Sequence, residues 1–224
     1  MTFRLKFLLP ALLSLAVMSS AFAQSSVSGI NDAVSAYRAG NASAAWPVFE
    51  KAAAEGDVKS KRYLAYIILD GNAPREAGMD FFDGTALLKE AAIAGDYAAL
   101  IRLEDLRRQR LAHSPTLADM IAVERARAVA GDPVAAWRLA ARFETGDGVA
   151  ASPADEAKWL EIAAEAETDR FPKAPEAAYR LCMLNALDGE TRDPDAARRW
   201  CALAADNGHA GAAVVLKRLA LLQN

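Results

Sequence analysis

The sequence predicts an all-α protein: a right-handed α/α solenoid of about five antiparallel helix pairs with a carboxy-terminal capping helix. Three observations carry that prediction. A helix-capping residue recurs at Asn41, Asp80, Thr116, Ser152 and Asp193, in steps of 39, 36, 36 and 41 residues. Seven residues after each comes a bulky apolar residue: Val48, Leu87, Val123, Trp159 and Trp200. Each stretch then closes on an alanine pair (Ala52-Ala53, Ala91-Ala92, Ala163-Ala164, Ala204-Ala205), or on Arg127-Ala128 in the Thr116 unit, followed by Gly56, Gly95, Gly131, Glu167 or Gly208. Period-two alternation is scarce, so no strand is predicted.

Residues 1–23 read as a secretory leader. Arg4 and Lys6 supply the positive start, Phe7 to Val17 the apolar middle, and Ala21-Phe22-Ala23 the cleavage site. A retained membrane anchor is the alternative, but the apolar run is shorter than the ~20 residues that cross a bilayer. Residue 24 is Gln rather than Cys, so nothing signals lipid attachment there. The expected organisation is a leader over 1–23, cleaved after Ala23, and one repeat domain over 24–224, periplasmic or secreted, with no membrane insertion after cleavage. Losing Arg4 and Lys6 leaves 24 of the 26 basic residues against 29 acidic ones, a net charge of −5. That acidity excludes a general nucleic-acid binder, which needs a basic face.

The repeat domain divides into two kinds of helix. The second helix of each pair starts at the capping residue, whose side chain accepts from an otherwise orphaned backbone N–H. Pro153 and Pro194 follow their caps directly, where a missing N–H costs nothing. The alanine pair lets a neighbouring helix approach, and the glycine ends the helix by turning left-handed. Eight residues beyond the glycines stand Leu64, Leu103, Leu139 and Leu216, the landmarks of the first helices. Leu181 is the remaining member, displaced by an insertion around Thr168–Pro175. A hairpin of Ile30–Ala39 and Ala42–Glu55 precedes the first full unit. Ala210–Leu222 has no following partner and reads as the cap that stacked repeats require.

The motifs Gly146-Asp147-Gly148-Val149, Trp159, Ala163-Ala164 and Ala177-Ala178-Tyr179-Arg180-Leu181 resemble the Sel1-like repeat, a relative of the tetratricopeptide repeat. The resemblance spans roughly residues 30–220; the Thr116 unit departs from it at Arg127, and the G-x-G-V turn is intact once. It implies a scaffold whose first helices line a groove that grips a protein or peptide. Val34–Gly40 leading into Ala52–Gly56 is similar to the opening of a rhizobial periplasmic regulator that restrains a sensor kinase. The expected function is therefore an exported, non-catalytic scaffold for protein–protein interaction in the cell envelope, regulating a signalling partner. An envelope hydrolase of the penicillin-binding or β-lactamase-like repeat type is the alternative.

The sequence offers little catalytic chemistry. His113 and His209 lie in separate units without metal-ligand spacing, and His209, after a junction glycine, reads as a surface-loop residue. No nucleophile elbow or phosphate-cradling loop is present, and Gly146-Asp147-Gly148 lacks the strand and the Lys-Ser/Thr of a nucleotide site. No cofactor or metal is expected. Cys182 and Cys201 fall on the two helices of the last pair, nearly level across the turn. A disulfide is the natural reading in an oxidising compartment, with two separate buried thiols as the alternative.

One position before the landmark leucines come Tyr63, Arg102, Arg138 and Arg180, with Trp137 and Tyr179 beside the last two arginines. Arginine with aromatics is the composition of interface hot spots. Arg102, Arg138 and Arg180 would form a ladder for an acidic or carboxylate-bearing protein or peptide ligand. The alternative is solvated arginines paired with nearby acids, and aromatics used for packing.

Overall fold

The helix starts follow from local chemistry. In the computed structural model, which describes residues 29–187 and 189–221, all five expected openers cap a helix. The Asn41 side chain accepts from the N–H of Ala44, Ser152 from Asp155, and Asp193 from Asp195 and Ala196. Asp80 accepts from Phe82 and Asp83 while Asp83 reaches back to the Asp80 N–H at 2.8 Å. Thr116 and Asp119 form the same reciprocal box. The expected leader lies outside the described residues.

These starts yield eleven helices among the described residues. In order they are α1 (29–38), α2 (Ala42–Ala54), α3 (Val58–Leu69), α4 (Phe81–Ile93), α5 (Tyr97–Gln109), α6 (Leu117–Val129), α7 (Pro133–Thr145), α8 (Pro153–Ala164), α9 (Ala174–Ala186), α10 (Pro194–Asp206) and α11 (Ala210–Leu221). A short 3-10 turn, Arg75–Ala77, precedes α4. The odd-numbered helices are the expected first helices and the even-numbered ones the second. None is long and apolar enough to cross a membrane.

A second set of caps was not anticipated. Asp57, Asp96 and Asp132 accept from N–H groups at the starts of α3, α5 and α7. The signal was present as a recurring Gly-Asp: Gly56-Asp57, Gly95-Asp96 and Gly131-Asp132. The fourth instance is Gly208-His209, and there His209 Nδ1 accepts the Ala212 N–H at 3.2 Å. This corrects the surface-loop reading. The imidazole is four-fifths buried, stacks on Tyr179 at 4.1 Å and lies 3.0 Å from the Glu176 carboxylate.

The chain forms two compact units. The first holds the described residues up to Ala92 together with Asp96–Arg102. Its core joins Val34 of α1, Trp46 and Phe49 of α2, and Tyr63, Leu64, Ile67 and Ile68 of α3. Tyr63 corrects an expectation here. It stacks on Phe49 at 5.1 Å, meets Tyr37 and Tyr66 edge-on, and keeps 6 % of its surface exposed. Its apolar ring outweighs its polar tip, so it is a packing residue and offers no contact surface.

The second unit holds Ile93–Gly95 and the described residues from Leu103 onward. Here α6 to α11 each pack on the next, the sequence-adjacent packing of a helical solenoid. Ala135, Ala136, Ala163, Ala164, Ala177 and Ala178 are all buried, which lets backbones approach. Leu103, Leu139 and Leu181 are fully buried, and Leu64 nearly so in the first unit. Leu216 is only half-buried, because no helix follows α11 among the described residues. The insertion before α9 is not idle loop: Phe171 turns inward and joins the core beside Leu139 and Phe143. Cys182 and Cys201 are disulfide-bonded across α9 and α10, fully buried, with Cα atoms 5.0 Å apart.

Candidate interaction face

Polar side chains on α7 and α9 are sorted by what the neighbouring helices offer them. Arg180 of α9 donates to Glu144 of α7 at 2.7 Å and to Glu156 of α8. Its guanidinium also lies over the Trp137 ring, 5.0 Å from the centroid. Two carboxylates and a ring face account for that charge, so Arg180 ties three helices together and is not a free anchor. Glu156 is almost fully buried. Burial pushes its carboxyl above the usual range; Arg180 opposes the shift, and Glu144 adds to it.

Trp137 is the centre of the face. It is half-buried, packs against Phe171 with centroids 6.4 Å apart, and carries the Lys173 ammonium 5.3 Å from its ring centroid. Lys173 and Arg138 are exposed and have no ion pair among the described residues. Tyr179 does not join Trp137: its ring is stacked under His209 and lies close against Gly211. The register brings out Trp137, Arg138 and Arg180, of which Arg180 is committed to ion pairs, but not Lys173, which sits in the irregular segment before α9.

The third member of the expected ladder lies in the other unit. Arg102 is half-buried and stands 3.8 Å from Asp70, which also accepts the Tyr37 hydroxyl at 2.9 Å. Burial and the Asp70 carboxylate push the Tyr37 phenol up to about 12. Nearby, Arg62 is held between Asp96 at 2.8 Å and the faces of Tyr63 and Tyr66.

Two more arginines of the second unit are consumed structurally. Arg142 binds the buried Glu124 and, at 2.6 Å, Asp147. Arg127, which breaks the alanine register, donates to Asp132 Oδ2 through Nε at 2.8 Å. Burial alone would raise the Asp132 carboxyl, but Arg127 and the N–H groups of Ala135 and Val134 hold it below the usual range. No group of three or more His, Cys, Asp or Glu side chains that could hold a metal occurs among the described residues.

Helices packed in sequence order from α6 to α11, with cap and glycine signals that recur along the chain, define a helical-repeat protein. No family model matches the chain, and no curated protein matches it. Among solved structures it is similar to a protective antigen of uropathogenic Escherichia coli displaying an SLR fold, at 22 % identity over 77 % of this chain and 36 % of that one, with a TM-score of 0.43. It is also similar to a Sel1 repeat protein from Oxalobacter formigenes, at 22 % identity over 78 % of this chain and 49 % of that one, with a TM-score of 0.48. The chain thus spans between a third and a half of the length of these two structures.

Proposed function

We propose that the protein is an exported, non-catalytic repeat scaffold that binds an acidic protein or peptide segment in the cell envelope through the α7–α9 face. The observation that carries this reading is the pair of exposed cations, Arg138 and Lys173, beside Trp137, with no carboxylate committed to either. An arriving carboxylate meets charge that is not already neutralised, and the indole supplies apolar area beside it. Arg180 contributes by fixing the orientation of Trp137. Restraint of a signalling partner is the role this scaffold would serve.

The test compares the full chain with an R138A/K173A variant in affinity capture from the periplasm, followed by titration of the captured partner. Loss of about tenfold in affinity with unchanged melting temperature supports the reading. Equal affinity would contradict it.

A further inference from the structure

The two places where the repeat breaks its own pattern meet in one cleft. Arg127 stands where the other units carry the first alanine, and Arg170 belongs to the insertion before α9. In the second unit both line a cleft of about 530 Å³ together with Ile93, Asp132, Pro133 and Val134. That volume lies within the roughly 300–1,000 Å³ span of ligand clefts.

Resting on the reading of the chain as a peptide-binding scaffold, we infer that this cleft takes an aspartate or glutamate side chain flanked by an aliphatic residue, from an extended segment of the partner. Charge selects the acid. Arg127 and Asp132 neutralise each other at 2.8 Å. Arg170 is exposed and has no ion pair among the described residues, so it carries the cleft's uncompensated charge.

The turn between α6 and α7 favours a side-chain carboxylate over a chain terminus. The N–H groups of Ala130, Gly131 and Asp132 donate to Ala126, Ala128 and Arg127, and those of Val134 and Ala135 donate to Asp132. Residue 133 is proline and has none. This turn therefore has no row of open donors for a terminal carboxylate, and a guanidinium fork remains. The rim selects the neighbour: Ile93 and Val134 each expose 42 % of their surface.

The cleft also continues the interaction face. Pro133 and Val134 lie one helical turn before Trp137 and Arg138, about 6 Å along α7. Phe171, next to Arg170, packs on Trp137. One extended segment spans both.

The experiment follows backbone and arginine side-chain N–H resonances of the isotope-labelled full chain during titration with three doubly blocked peptides: acetyl-Leu-Glu-Leu-amide, acetyl-Leu-Gln-Leu-amide and acetyl-Ala-Glu-Ala-amide. Saturable shifts at residues 93–95, 130–132, 134 and Arg170 are expected with the first. Weakening by about fivefold or more is expected with either of the others and in R170Q. Binding of the glutamine peptide within about twofold, an unaffected R170Q, or no saturable shift in the cleft would overturn the inference. So would tighter binding of an unblocked Leu-Gln-Leu terminus than of blocked Leu-Glu-Leu. Shifts confined to Arg138 and Lys173 overturn the cleft and leave the face reading standing. Cleft shifts that survive R138A/K173A support the cleft as a site of its own.

Discussion

At the scale of single residues, backbone conformation and cap chemistry give the firmest expectations. Gly148 has φ +74, and a Cβ there would stand 2.7 Å from Ile121 Cδ1 and 2.8 Å from Leu117 Cδ2. Gly148→Ala combines left-handed strain with overpacking and should cost about 2 kcal/mol in urea unfolding. A change under half that size would mean the turn relaxes freely. Asp132→Asn keeps the Oδ1 cap but removes the anion facing Arg127. The pair is largely buried, so the variant should lose about 1 kcal/mol at neutral pH. Because the folded carboxyl is held below its ordinary value, this stabilisation is complete above the usual aspartate range and fades as pH falls through the folded value. Unfolding curves of the two proteins should therefore converge in acid; a gap that persists there would place the energy elsewhere.

Between helices, covalent and capping ties decide stability. The Cys182–Cys201 bridge closes a 19-residue separation and fixes α9 to α10. Replacing both cysteines with serine should cost about 3 kcal/mol, read from denaturant midpoints under oxidising conditions. An unchanged midpoint would mean that helix packing alone holds the pair. At α11, His209→Ala removes a cap and a stacked ring and should cost about 1 kcal/mol, whereas His209→Asn should recover the cap portion. Equal loss in both variants would assign the effect to the ring stack with Tyr179.

Legibility follows the range of the interaction. The openers and glycines were readable because a cap or a left-handed turn is satisfied within three or four residues. The landmark leucines were readable because their burial repeats with the unit. Tyr63 shares the register of Arg102, but its burial depends on Phe49 of another helix, which no local pattern reveals. Glu156 and Arg180 sit 24 residues apart, and nothing local marks that encounter. Phe171 and Lys173 lie in a segment without periodicity, so their turn towards Trp137 was invisible.

At the largest scale, the helices of the second unit, α6 to α11, each pack on the next. Both kinds of helix contribute to the core, Trp159, Leu160 and Cys201 from the second and Leu139 and Leu181 from the first, while Arg138 of α7 stays exposed and Trp137 half-buried. If the protein is exported as proposed, the mature chain recovered from the periplasm begins at Gln24, and intact-mass measurement checks this. A periplasmic chain that keeps residues 1–23 would contradict cleavage.

The most direct test of binding through the α7–α9 face is site-specific photo-crosslinking in cells, with the photoreactive residue at position 141, one turn after Trp137, or at exposed Glu161 on α8. A discrete partner adduct is expected from position 141, weakened by R138A/K173A, and none from position 161. An adduct from position 161 with none from 141 would contradict binding through this face.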